Sequence, residues 1–158
     1  MSWVQARELR ARESQEPTSG RGNIVKYELT DETNGNGLRR IRALRDIPSC
    51  GVNEGDLGGW VESEGNLTQE GDCWVSDTAL IYGDARVSDD AQVFGNARVC
   101  DAAQVCGDAQ VSDTALIYGK AQVFGNARVF GKARVSDDAQ VFGNARVFDA
   151  VVRGGVTS

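Results

Sequence analysis

From Cys73 to Val147 the chain repeats one six-residue pattern without a gap: a small apolar residue, a polar one, an aliphatic one, a linking residue and two turn formers. The aliphatic places are Val75, Ile81, Val87, Val93, Val99, Val105, Val111, Ile117, Val123, Val129, Val135, Val141 and Val147. Alanine stands two positions before each, from Ala79 to Ala145, and Cys73 fills the first such place. A small–polar–aliphatic triplet has period two, so its first and third side chains share one face of a short strand. Alanine and valine therefore point inward. Arg86, Gln92, Arg98, Gln104, Gln110, Gln122, Arg128 and Arg146, lying between them, point to solvent. Self-similarity at a fixed short period predicts a solenoid, in which each repeat buries its apolar face only by stacking on its neighbours.

The turn formers set the size of the coil. Each turn opens on Gly or Asp, residues that tolerate positive φ. Two hexads per coil would stack Asp77, Asp89, Asp101 and Asp113 in one column about 4.8 Å apart, and like charges directly opposite are destabilising. Three hexads per coil interleave them, giving Asp77, Gly95, Asp113, Gly131 and Asp149 in one column. The segment SDTALIYG occurs at 76–83 and again at 112–119, two such coils apart. The pattern predicts an all-β fold: a single-stranded parallel β-helix, triangular, with about 18 residues per coil.

The first 22 residues stand apart. Residues 2–16 are rich in helix formers but carry few large apolar groups, and PTSGRG at 17–22 reads as a linker. Residues 1–22 are thus expected to form an N-terminal extension, either disordered or docked as a helix. Residues 23–56 predict a β-hairpin, with alternation over 24–29, a turn signal NGNG at 34–37, and a return over 38–44. A hairpin there would cover the open end of the stack, whose unpaired backbone groups invite aggregation. The coils are expected over 57–153. Arg153 falls where a core valine is due, so 154–158 reads as a short tail.

The segments LRDIP (44–48), GDLGGWV (55–61), NL (66–67) and GDCWV (71–75) precede the regular hexads. In this order they are similar to the YdcK-like proteins of enterobacteria and their phages and prophages. The hexads themselves resemble the hexapeptide-repeat proteins. The resemblance spans roughly 23–153 and implies a left-handed β-helix, although parallel crossovers are normally right-handed. It also implies a transferase label, by analogy with hexapeptide acyltransferases.

Composition argues against that activity. Hexapeptide acyltransferases use a histidine base, and the chain contains no histidine. No carboxylate stands beside an obvious nucleophile, and Asp and Glu are mostly turn residues. The four cysteines lack C-x-x-C spacing, so neither a metal site nor a cofactor is expected, and they read as reduced thiols. No catalytic residue is assigned. No apolar run reaches the length of a spanning helix, and the N-terminus lacks the apolar core of a secretory signal, so a cytoplasmic protein without membrane association is expected.

Charge is uneven along the chain. Residues 57–117 carry eleven acidic against two basic groups, and residues 118–158 three acidic against six basic. The linking residue adds aromatics late in the repeat, at Tyr118, Phe124, Phe130, Phe142 and Phe148. At 18 residues per coil, Phe124 stacks on Phe142 and Phe130 on Phe148, while Tyr82, Cys100 and Tyr118 share another column. Aromatics with arginine mark protein-binding hot spots. Phe124, Phe130, Phe142, Phe148, Tyr118, Arg128 and Arg146 are therefore the candidate partner-binding residues. The expected function is a non-catalytic, phage-type binding protein that inhibits a host protein, for example a defence component. Two alternatives are an acyltransferase-like enzyme at an oligomer seam and an acidic nucleic-acid mimic. Direct nucleic-acid binding is not expected. A homodimer through the C-terminal end of the β-helix is.

Overall fold

The computed structural model describes residues 25–158; the expected N-terminal extension lies outside them. Three strands form the start of the described chain: β1 (Tyr27–Thr33), β2 (Arg39–Ala43) and β3 (Leu57–Val61). β1 and β2 pair antiparallel, as the NGNG turn predicts; the side chain of Asn34 accepts the amides of Asn36 and Leu38. β3 then pairs antiparallel with β2 on one side and parallel with Leu80–Ile81 on the other. The hairpin is therefore continuous with one wall of the solenoid, and its buried Tyr27 and Lys26 reach across the open end to the carbonyls of Leu67 and Cys73.

From residue 57 the chain winds through about five coils whose rungs fall into three parallel sheets. The first face stacks Trp74–Val75, Gln92–Val93, Gln110–Val111, Arg128–Phe130 and Arg146–Phe148. The second stacks Leu80–Ile81, Arg98–Val99, Leu116–Ile117, Arg134–Val135 and Val151–Val152 on β3. The third stacks Arg86–Val87, Gln104–Val105, Gln122–Val123, Gln140–Val141 and Val156–Thr157. Gln92 lies on Gln110 and Val93 on Val111, so one coil is three hexads. Every inward alanine from Ala79 to Ala139, and every inward valine or isoleucine from Val75 to Val141, is completely buried. Among the described residues no helix is long and apolar enough to cross a membrane.

The corners explain the Asp–Gly alternation in atomic terms. Each is a tight four-residue turn with positive φ at its second residue, as at Gly95 (φ 69°) and Asp113 (φ 62°). The Asp77 carboxylate accepts the Gly95 amide one coil on, at 3.1 Å, and Asp113 accepts Gly131 at 2.9 Å. Asp89 and Asp101 do the same to Gly107 and Gly119. The glycine in turn needs its bare α-carbon: a Cβ at Gly95 would lie 2.9 Å from the Asp113 amide nitrogen. In the irregular first coil Glu62 takes the aspartate's part, accepting the Gly83 amide at 2.8 Å.

The C-terminal coil departs from expectation. Arg153 does not occupy the place of a core valine, because the chain drops one residue and sets Val152 on Val135. It shortens again before Thr157, which lies on Val141. Residues 154–158 are thus not a free tail: they hold the last rung of the third face. A backbone that keeps its ladder hydrogen bonds at the cost of a shorter corner leaves fewer polar groups unpaired.

Candidate interaction surface

The last two coils bring most of the predicted partner-binding residues together on and beside the first face. Arg128 lies in register on Arg146, Val129 on Val147 and Phe130 on Phe148. Both arginines are exposed, and among the described residues neither has a carboxylate within ion-pair distance; all three ion pairs found lie around the cap. Phe130 and Phe148 pack with ring centroids 5.0 Å apart and planes tilted by 32°. Phe148 is 57% exposed, unusual for so large an apolar group. Phe124 and Phe142 stack with centroids 5.1 Å apart and planes 6° from parallel. This second ladder runs along the edge where the third face turns into the first, four residues before each arginine. Two aromatic ladders thus flank a column of guanidinium groups that no carboxylate among the described residues pairs.

Tyr118 is not part of this patch. It stands at the end of the second face, in the column of Tyr82, Cys100 and Ser136, and is half-buried. Burial raises the Tyr82 phenol pKa, and its hydrogen bond with Cys100 raises it further. Burial likewise pushes the thiols of Cys50, Cys100 and Cys106 up, most simply because a thiolate is poorly solvated there. That environment is opposite to one that activates a nucleophilic cysteine. All four cysteines are free. Among the described residues no three His, Cys, Asp or Glu side chains converge as a metal cage.

Several polar anchors were beyond sequence reasoning. Lys26 is completely buried, with Nζ 2.7 Å from the Cys73 carbonyl and 3.1 Å from its Sγ. Gln69 acts as a surrogate strand: its Oε1 accepts the amides of Lys26 and Tyr27, and its Nε2 donates to the Tyr27 carbonyl. Asn66, also buried, accepts the Glu62 and Ser63 amides and donates to the Gly83 and Ala85 carbonyls. A cleft of about 400 Å³ lies between the hairpin turn and the second face, lined by Asn36, Leu38, Glu62, Leu80, Tyr82 and Arg98. Only the fold joins Lys26 and Gln69 to their partners; Asn66 belongs to a local capping box with Ser63, and the fold adds its carbonyl partners Gly83 and Ala85.

The repeat geometry agrees with one known family. The YdcK β-solenoid repeat matches residues 79–93, 91–107, 121–137 and 139–155. Over these four segments the chain is similar to YdcK β-solenoid repeats. The intervening rungs, Gln110–Val111 and Leu116–Ile117, keep the same register between the matched segments. The irregular coil and hairpin before residue 79 lie outside the YdcK matches but continue the same sheet. No curated protein matches the chain.

Proposed function

We propose that this YdcK-type solenoid is a non-catalytic binding scaffold. Its docking surface is the patch of Phe124, Phe130, Phe142, Phe148, Arg128 and Arg146, and its partner is a protein with an acidic, apolar-anchored surface. The carrying observation is the in-register Arg128–Arg146 column with no carboxylate beside it among the described residues. Stacked like charges weaken a sheet. Folding gains nothing from that column, whereas an acidic partner would neutralise it between two aromatic ladders. Arginine and large aromatics are the side chains that dominate interface energetics. A solenoid wall also holds them in fixed positions, which lowers the ordering cost of docking. The phage- and prophage-type resemblance makes a host cytoplasmic protein, including a defence component, the first target to try, with inhibition by blocking its surface.

The test is capture from host lysate by the tagged full chain, run beside Arg128→Glu and Phe142→Ser. The expected result is a salt-sensitive partner retained by the wild type and lost by both variants. Capture unaffected by either substitution would overturn the assignment. Binding lost in salt but indifferent to both variants would instead move the surface to the acidic early coils, where Asp72, Asp90 and Asp108 line one corner column.

A further inference from the structure

The second face differs from the other two in what it turns outward. On the first and third faces every outward place from Arg86 to Arg146 is arginine or glutamine. On the second, Leu80, Arg98, Leu116 and Arg134 follow one another in register, apolar and cationic by turns. The doubled segment SDTALIYG produces this pattern, because its copies lie two coils apart and each sets a leucine and a tyrosine on the same face. Leu80 and Leu116 are half-buried and Arg98 and Arg134 exposed; among the described residues neither arginine has a carboxylate within ion-pair distance. Tyr82 and Tyr118 stand along one margin of the column. At its upper end the column meets Trp60, whose ring Arg40 covers at 5.3 Å from the centroid. There Leu80, Tyr82 and Arg98 also line the cleft against the hairpin turn. Folding does not require the alternation, since glutamine fills the same place on the neighbouring faces.

We infer that the second face binds an amphipathic helix of a partner protein, laid along the solenoid axis, with apolar residues at heptad position a and acidic residues at d. Successive rungs are about 4.8 Å apart, so the column starting at Leu80 places its side chains at about 0, 4.8, 9.6 and 14.4 Å. Successive a, d, a and d positions of an α-helix rise by about 0, 4.5, 10.5 and 15 Å. The two series agree to within about 1 Å at every step. Any column of the solenoid shares that spacing; the alternation is what chooses the partner's chemistry. An aliphatic residue at a meets each leucine, and a carboxylate at d meets each arginine in a charge-assisted hydrogen bond. Helices that dock in grooves are read through anchors at this three- and four-residue spacing.

The corners decide against a uniform polyanion. Asp77 and Asp113 stand along one margin of the face and Asp101 and Asp137 along the other. A nucleic acid laid there would meet carboxylates on both sides, whereas a helix confines its acid to one stripe and can place lysine at its flanks. The leucines also favour a ligand with an apolar stripe. This surface lies on a different face from Arg128 and Arg146, so it goes beyond the arginine–phenylalanine patch and does not depend on it.

The probe is a fluorescently labelled three-heptad peptide with leucine at a, glutamate at d, lysine at the flanking e and g places and alanine elsewhere. Its anisotropy is followed on titration with the full chain. The wild type should bind it, and should not bind a peptide with lysine at d. The double variant Arg98→Glu, Arg134→Glu should bind the glutamate peptide at least about tenfold more weakly and should bind the lysine peptide instead. Leu116→Gln, which installs the outward residue of the neighbouring faces, should weaken binding about threefold or more. Arg86→Glu, a charge reversal on the third face, should bind as the wild type does. Circular dichroism checks that each variant is folded. No binding by the wild type up to about 1 mM overturns the inference. Equal binding of the glutamate and lysine peptides, or undiminished binding by the double variant, also overturns it. So does equally tight binding of an unstructured polyglutamate, since charge alone would then suffice. Peptide binding that persists in Arg128→Glu after that variant has lost its captured partner separates the two surfaces.

Discussion

Substitution at one corner tests whether the aspartates serve the backbone or merely decorate the surface. Asp113 has φ 62°, and its carboxylate accepts the Gly131 amide at 2.9 Å. Asp113→Gly loses that hydrogen bond, about 1 kcal/mol, and recovers about 1 kcal/mol by relieving the left-handed conformation. The net change is close to zero. A glycine column is already tolerated at the third corner, where Gly107, Gly125 and Gly143 follow one another with φ of 67–69°. Asp113→Ala loses the same hydrogen bond without relieving the backbone, so it should cost about 1–2 kcal/mol, or roughly 3–8 °C in Tm. Gly95→Ala should be worse, at least about 2 kcal/mol, because it adds both left-handed strain and overpacking; its new Cβ would stand 2.9 Å from the Asp113 amide nitrogen. Thermal unfolding followed by circular dichroism at neutral pH gives the order: wild type and Asp113→Gly together, Asp113→Ala below them, Gly95→Ala lowest. An Asp113→Ala protein as stable as Asp113→Gly would refute the reasoning, since left-handed strain would then play no part in choosing the corner residue.

Val111 is completely buried whereas its neighbour Gln110 faces out; Val111→Asp should prevent folding, at a cost of several kcal/mol or more for an unpaired buried carboxylate. Gln110→Asp should change stability by only about 0.5 kcal/mol, and equal melting temperatures would show that the inward and outward faces are misassigned. Asn66→Leu deprives four backbone groups of their partners and should cost at least about 3 kcal/mol, read by urea denaturation. Replacing Cys50, Cys100 and Cys106 together by serine should leave stability unchanged in both oxidising and reducing buffer, because all are free thiols. Burial raises their pKa values, so less thiolate forms at neutral pH and alkylation of the wild type should be slower than that of free cysteine, accelerating only as pH rises.

The repeat itself was legible because it is local. Ala–x–Val alternation decides which side chains face inward, and the Asp–Gly alternation favours three hexads per coil over two, since two would stack the corner aspartates Asp77, Asp89, Asp101 and Asp113 on one another. The column partners of Phe124 and Phe130 follow from that count alone. The NGNG turn likewise announced the hairpin. Tertiary structure decided what the period cannot carry. Lys26, Gln69 and the donating amide of Asn66 bind groups more than a dozen residues away, and these partners become neighbours only once the first coil has closed. The shortened corners that place Val152 and Thr157 on the last rungs break the hexad count, so the sequence pattern reads Arg153 as a failure where the backbone simply skips a residue. Tyr118 shares its residue class with the phenylalanines, yet stands on another edge of the triangle. Composition groups it with them, and only the winding of the coil separates them.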